Sequence, residues 1–170
     1  MLIGELKVRR GERFLDMGCG TGIIGIYAAK KGARVVAADI SKHALAQTRA
    51  NSVLNSAPLQ VSKSHLFSGV KGRFDIIAFN APYAKLTRRG IEDRRMRDHT
   101  RTSRLKTVLQ FIRRVSSRMV KSGRGYLVLS SDSPVDLFKR TALGSNLKWS
   151  VCKTYDLPKE TVYIVELTRL

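Results

Sequence analysis

The sequence predicts an α/β fold: a mostly parallel sheet, helices on both faces, and an antiparallel hairpin at the end. Two observations predict it. Short β-rich apolar runs alternate with longer helical stretches along most of the chain, and the last two apolar runs are separated only by a turn. Strand–helix alternation forces parallel strands joined by right-handed crossovers. Where the strand order reverses, a crevice opens at the carboxyl ends of the first and fourth strands. At 170 residues the chain is long enough to bury a full core without disulfides or structural metal, and 1–170 is expected to be a single domain.

Each element has a local signature. The segment ERFLDMG reads as a first strand ending in a glycine turn, and residues 22–31 as a helix closed by Gly32. RVVAADI, residues 34–40, is the continuous apolar run of a strand buried on both faces. Ser41 then caps a helix running to about Asn55 and Pro58. LQVSKS is a weak third strand and FDIIAF, 74–79, a strong fourth. A long, polar, arginine-rich loop is expected from Asn80 to about Thr102. A helix is expected from Ser103 to Lys121, with Leu105, Val108, Leu109, Ile112, Val115 and Met119 on one face. GYLVLSS is a fifth strand, and Pro134 opens a helix from about Val135 to Leu143. LKWSVCKTYDL and TVYIVEL, joined at Pro158–Lys159, form the closing hairpin.

Composition narrows the function. With 43% hydrophobic and 26% charged residues the chain is neither fibrous nor disordered. It has no apolar run of eighteen residues and no signal-like N-terminus, so it is expected in the cytoplasm, without a membrane partner. Cys19 and Cys152 have no zinc-ligand spacing, so no metal site is expected and both read as free thiols. The formal net charge of +19 suits a polyanionic partner, RNA or the ribosome. Between Lys85 and Arg124 there are fourteen Lys/Arg against three acids, which makes the Arg88–Arg104 stretch the expected RNA contact.

The strongest motif is Asp16-Met17-Gly18-Cys19-Gly20-Thr21-Gly22. Alternate glycines between a strand and a helix let the backbone turn sharply and let a ligand approach closely. The next helix offers free N–H groups to a carboxylate, and Asp16 offers a charge to an ammonium group. Asp39, closing the second strand, is placed to accept both hydroxyls of a ribose. Gly20, Gly22 and Gly25 also satisfy G-x-G-x-x-G, so a dinucleotide is an alternative. The acid before the first glycine favours a ligand that carries its own ammonium group.

Asn80-Ala81-Pro82-Tyr83 follows the fourth strand, at the crevice. An amide or exocyclic amine is a poor nucleophile because its lone pair is delocalised. The Asn80 carbonyl and the Ala81 backbone carbonyl are suited to accept its two hydrogens and support the charge developing on nitrogen. Tyr83 offers a face for the planar group to stack on. The bland alternative for this tetrapeptide is a simple turn.

Together these segments resemble the S-adenosylmethionine methyltransferases of class I, with their Rossmann-like, seven-stranded sheet. From Phe14 to Val165 the chain is similar to the short archaeal and eukaryotic branch of the HemK-type release-factor glutamine N5-methyltransferases. The resemblance implies S-adenosylmethionine as cofactor, held by Asp16, Gly18, Cys19, Gly20 and Gly22 on the first loop. Asp39 and Ile40, then His65 and Leu66, and finally Asn80 complete that implied site. Asn80, Ala81, Pro82 and Tyr83 would hold the acceptor, a release factor or ribosome-associated substrate. A small zinc-binding activator subunit is a further implied partner. The chain departs from the branch at Ala81, where a proline is usual, at His65, where an acid is usual, and in lacking the acidic segment ahead of the first strand. Two other readings compete: an N6-adenine methyltransferase of RNA or DNA, which the charge favours, and a non-catalytic RNA-binding scaffold, which the departures favour.

Overall fold

The computed structural model describes residues 2–81 and 94–170, with side chains throughout except at 94–102. The chain opens with a short helix, α1 (Leu2–Glu5), then β1 (Arg13–Met17), α2 (Ile23–Lys30), β2 (Arg34–Asp39), α3 (Lys42–Leu54) and β3 (Gln60–Lys63). It continues with β4 (Phe74–Asn80), α4 (Arg94–Arg118), β5 (Met119–Ser130), α5 (Val135–Leu143), β6 (Leu147–Leu157) and β7 (Glu160–Arg169). These strands form one seven-stranded sheet in the order β3-β2-β1-β4-β5-β7-β6. β1 pairs in parallel with both β2 and β4, so the order reverses beside β1 and the crevice falls between β1 and β4. β7 runs antiparallel to β5 and β6, as the closing hairpin requires.

Strand alternation sends neighbouring side chains to opposite faces. Phe14 packs with Ile76, Tyr126 and Val128 against α1 and α2. Leu15 packs with Ile77, Phe111, Ile112 and Phe138 against α4 and α5. Phe14, Leu15, Ile76 and Ile77 are all 0% exposed. Burying side chains of this size contributes about 1.5–3 kcal/mol each, which makes the centre of the sheet a rigid platform. Among the described residues no helix is long and apolar enough to cross a membrane.

Four local expectations need correction. α4 begins at Arg94, not Ser103, because its polar first turns contain good helix formers and neither Gly nor Pro. It stops at Arg118, and Met119 belongs to β5 instead of the helix face. The Arg169 guanidinium, from the far end of the chain, donates to the carbonyls of Ser116 and Met119 and so ends the helix. β5 therefore starts well before GYLVLSS, turning past Gly123, where a Cβ would sit 2.8 Å from that of Met119. Finally α1 precedes β1, and Leu2 and Leu6 join the core. Pro82, Tyr83, Arg88 and Arg89 lie outside the described residues, and Arg94, Arg95, Arg97 and Arg101 are placed only as backbone of α4.

Candidate functional site

A cavity of about 690 Å³ opens at the carboxyl ends of the parallel strands. β1 contributes Met17 and Gly18, and β2 contributes Asp39 and Ile40. The loop after β3 supplies Ser64, His65 and Leu66, β4 supplies Phe79 and Asn80, and α4 supplies Ser103, Arg104 and Thr107. Six residues picked from the sequence thus share one wall system: Gly18, Asp39, Ile40, His65, Leu66 and Asn80. Asp16, Cys19, Gly20 and Gly22 are not part of its lining, and Ala81 is buried at 4% exposure.

The glycine loop is fixed by backbone and side-chain bonds. Gly18 and Cys19 both donate their N–H groups to the Ala38 carbonyl, at 2.7 and 3.1 Å. Gly18, Gly20 and Gly22 have φ of 64°, 54° and 82°, a left-handed run that L side chains resist. At Gly22 space is limiting too, because a Cβ would lie 2.8 Å from Thr48 Cγ2. The Asp39 carboxylate accepts from Gly20 N at 3.1 Å and Ser41 N at 2.9 Å. A carboxylate has about four acceptor positions, so Asp39 keeps capacity for a ligand's hydroxyls.

Two α3 side chains that sequence reasoning missed brace the same loop. Thr48 Oγ1 donates to the Gly20 carbonyl at 3.0 Å, and Asn51 Nδ2 donates to the Thr21 carbonyl at 2.8 Å. With its one hydrogen committed, Thr48 Oγ1 is the acceptor from the Cys19 thiol, 3.2 Å away. Burial pushes that thiol up to about 11, so it stays a protonated donor. The only sequence signal for this brace was two polar residues three apart on a helix, one turn of the same face.

Asp16 is 1% exposed. Its Oδ2 accepts from Gly25 N at 2.8 Å, and a Cβ on Gly25 would come within 3.1 Å of that oxygen. Among the described residues Oδ1 has no partner. Burial raises the carboxyl to about 7, opposed by the Gly25 hydrogen bond and assisted by the Asp39 charge. An unsatisfied buried carboxylate oxygen costs free energy unless a donor arrives, and a ligand ammonium is such a donor.

Across the cavity the bracing differs. Asn80 ends β4 exposed, and no described residue hydrogen-bonds its side-chain amide. The loop behind His65 is ordered by Ser64: its hydroxyl donates to the Leu66 carbonyl and accepts from Gly69 N. That holds Leu66 at φ 50°, a strained conformation for a leucine, with its neighbour His65 exposed on the cavity.

The residues therefore fit S-adenosylmethionine: Asp39 keeps acceptor capacity on the cavity wall, and an unpaired Asp16 oxygen lies behind the glycine loop. Residues 1–147 match the family model described as the methyltransferase small domain. The chain is 32% identical over 134 residues to ribosomal RNA small subunit methyltransferase C of Chromohalobacter salexigens, covering 79% of this chain and 36% of that protein. It is 39% identical over 84 residues to a provisionally named protein N5-glutamine methyltransferase of Methanocaldococcus jannaschii, covering 49% of this chain and 43% of that one. The chain thus spans less than half the length of these relatives. Among solved structures, the Mtq2–Trm112 complex of E. cuniculi, described as responsible for methylating the eRF1 termination factor, superposes with a TM-score of 0.72 at 18% identity, over 99% of this chain and 93% of that one.

Proposed function

The chain belongs to the methyltransferase small domain family, and on that footing we propose that it moves a methyl group from S-adenosylmethionine to a planar nitrogen, the side-chain amide of a glutamine in a translation release factor. The sulfonium of the bound cofactor supplies an already activated methyl group. This chain's residues do the rest. Asp39 and the glycine loop hold the cofactor; Asn80 accepts hydrogens from the acceptor nitrogen and orients its lone pair toward the methyl group. Ala81 contributes its carbonyl, with Pro82 and Tyr83 completing the acceptor side. Cys19, Ile40, His65 and Leu66 complete the cofactor side.

One observation carries the reading: Asn80 stands exposed on the wall of the cavity that Asp39 also lines, with its amide uncommitted among the described residues. The glutamine methyltransferase relative supports the choice of acceptor, and the termination-factor complex supports both the acceptor and a small activator subunit. A second reading, an exocyclic amino nitrogen of an RNA base such as adenine N6, is favoured by Arg104 in the cavity wall and by the ribosomal RNA methyltransferase relative.

Incubation with methyl-labelled cofactor and a cell extract, followed by protease or ribonuclease, separates these readings. The expected label is protease-sensitive and is lost when the glutamine of a purified release factor is replaced. Ribonuclease-sensitive label moves the assignment to RNA, and absence of any label leaves the non-catalytic scaffold.

A further inference from the structure

The charge of this chain is unevenly placed between the two ends of its sheet. Toward the carboxyl ends stand Asp16, Asp39, Asp132, Asp136, Asp156 and Glu160, of which Asp39 lines the cavity. Toward the opposite, amino ends the described acids are Glu12, Asp75 and Glu166, and all are engaged, Glu166 accepting from the Tyr126 hydroxyl at 2.8 Å. Glu12 pairs with Arg124 at 2.8 Å and accepts from Arg9 N at 2.7 Å; Asp75 accepts from Arg13 N at 2.8 Å.

The cations at that end form a row set by strand register. Arg13 and Arg34 are direct neighbours across β1 and β2. β4 contributes no cation here: Ile76, the partner of Phe14, pairs with Arg124, which resumes the row on β5 from the opposite face of the sheet. Arg124 pairs with Thr168, and Arg169 follows on β7. Strands lie about 4.8 Å apart, so the row spans roughly 19 Å.

Apart from Arg124, which pairs with Glu12, the row is held in place by contacts other than acids. The Arg34 guanidinium donates to the Gly11 carbonyl through both Nε and Nη2, at 3.2 and 3.1 Å. Arg13 lies over the Phe74 ring, 5.3 Å from its centroid. Exposed Arg9, Arg10, Lys30, Lys31 and Lys71 flank it on the adjoining loops and helix end. Where the row reaches β7 there is a recess of about 370 Å³, lined by Arg73, Arg169, Ser116, Ser145 and Asn146 among others. Arg169 Nε is buried there with no partner among the described residues. A general basic bias accounts for many lysines and arginines. It does not account for their alignment along one edge, for the acids gathering at the other end, or for an unpaired buried guanidinium nitrogen in a polar recess.

We infer that the amino-end edge of the sheet is a docking surface for the phosphate backbone of double-stranded RNA, separate from the cavity. A duplex presents about one charge per 1.7 Å of axis, so 19 Å of edge faces roughly eleven. Guanidinium forks match phosphate oxygens, and the recess beside Arg73 has room for one phosphate. β4 alone is seven residues long, about 23 Å, so RNA at this edge leaves the acceptor site open. The surface tethers the protein to a structured RNA particle while the cavity works on its own acceptor.

The test is anisotropy titration of the full chain with a 20-base-pair RNA duplex across a salt series. Five or six phosphate contacts give a log–log slope near about −5, at roughly 0.9 per contact. Changing Arg9, Arg10 and Lys31 together to Ala is expected to make that slope shallower by about 2.7. Changing Lys42, Lys153 and Lys159, exposed at the carboxyl end, removes the same charge and is expected to leave the slope within half a contact. Thermal melts of both triple variants check that the fold is intact, without reference to cofactor or activity. Equal losses in the two variants, a flat wild-type titration, or loss of the slope only when Arg94, Arg95 and Arg97 are changed would each overturn the proposal. So would binding to anionic lipid vesicles with the same salt slope and none to the duplex.

Discussion

The two sides of the cavity are built on different principles. The side proposed for the cofactor is braced before any ligand arrives: Ala38, Asp39, Thr48 and Asn51 all hydrogen-bond the glycine loop. On the side proposed for the acceptor, Asn80 has an amide with no described partner, at the end of a strand whose preceding residues, Ile76 to Phe79, are at most 3% exposed. The difference teaches where each residue's energy goes. Groups already bonded in the free protein fix geometry and set affinity, whereas an uncommitted group on a rigid strand is free to act in the transition state.

Asn80→Ala is the largest break in that comparison. Turnover is expected to fall a hundredfold or more, with cofactor affinity unchanged, because the lost contact acts on the acceptor as charge develops. Single-turnover kinetics beside a calorimetric titration measures both quantities. Asp39→Ala should do the reverse: cofactor affinity drops by about ten- to a hundredfold, the roughly 1.5–3 kcal/mol of hydrogen bonds to a charged group. Equal cofactor affinities in the two variants would remove Asp39 from the ribose.

Thr48→Val sharpens the claim that the loop is held from behind. Thr48 is 0% exposed, and valine keeps its shape while leaving the Gly20 carbonyl and the Cys19 thiol without their partner. Leaving a buried group unpaired costs about 1–3 kcal/mol. Cofactor affinity should weaken about five- to tenfold and the melting temperature fall, while Thr48→Ser restores both. A Thr48→Val protein that melts lower but binds normally would make the brace purely structural.

The smallest expected effect is a proton. Asp16 is raised from the usual 3.8 to about 7. A carboxyl raised on folding adds stability that is fully present below pH 3.8 and lost as pH rises through about 7, so Asp16→Asn should flatten the decline of stability across that window. A ligand ammonium at Oδ1 draws the carboxyl back to its charged form. Binding at pH 6 should then release close to one proton, and at pH 8 almost none. Calorimetry in buffers of different ionisation heat counts it; pH-independent proton release would separate Asp16 from the ammonium group.

Wherever a motif is local, the residues alone were enough. The helix cap at Ser41, whose hydroxyl accepts from Ala44 N at 3.3 Å, and the α5 bounds at Val135 and Leu143 follow from neighbours in sequence. So do the glycine turn of the first loop and the fourth strand, read as 74–79 and found one residue longer. Alternation of strands and helices, with its closing hairpin, likewise determined the sheet and placed the crevice, because crossover handedness leaves few topologies. What the tertiary structure decided came from contacts between distant segments. Arg169 set the end of α4, Thr48 and Asn51 reached the glycine loop from another helix, and burial moved Asp16 away from its usual ionisation. Register across four strands brought Arg34, Arg13 and Arg124 to one edge, although ninety or more positions separate the first two from the last. Hydrogen-bond partners, desolvation and charge density depend on distance in space, and a linear pattern fixes distance only over a turn or two of chain.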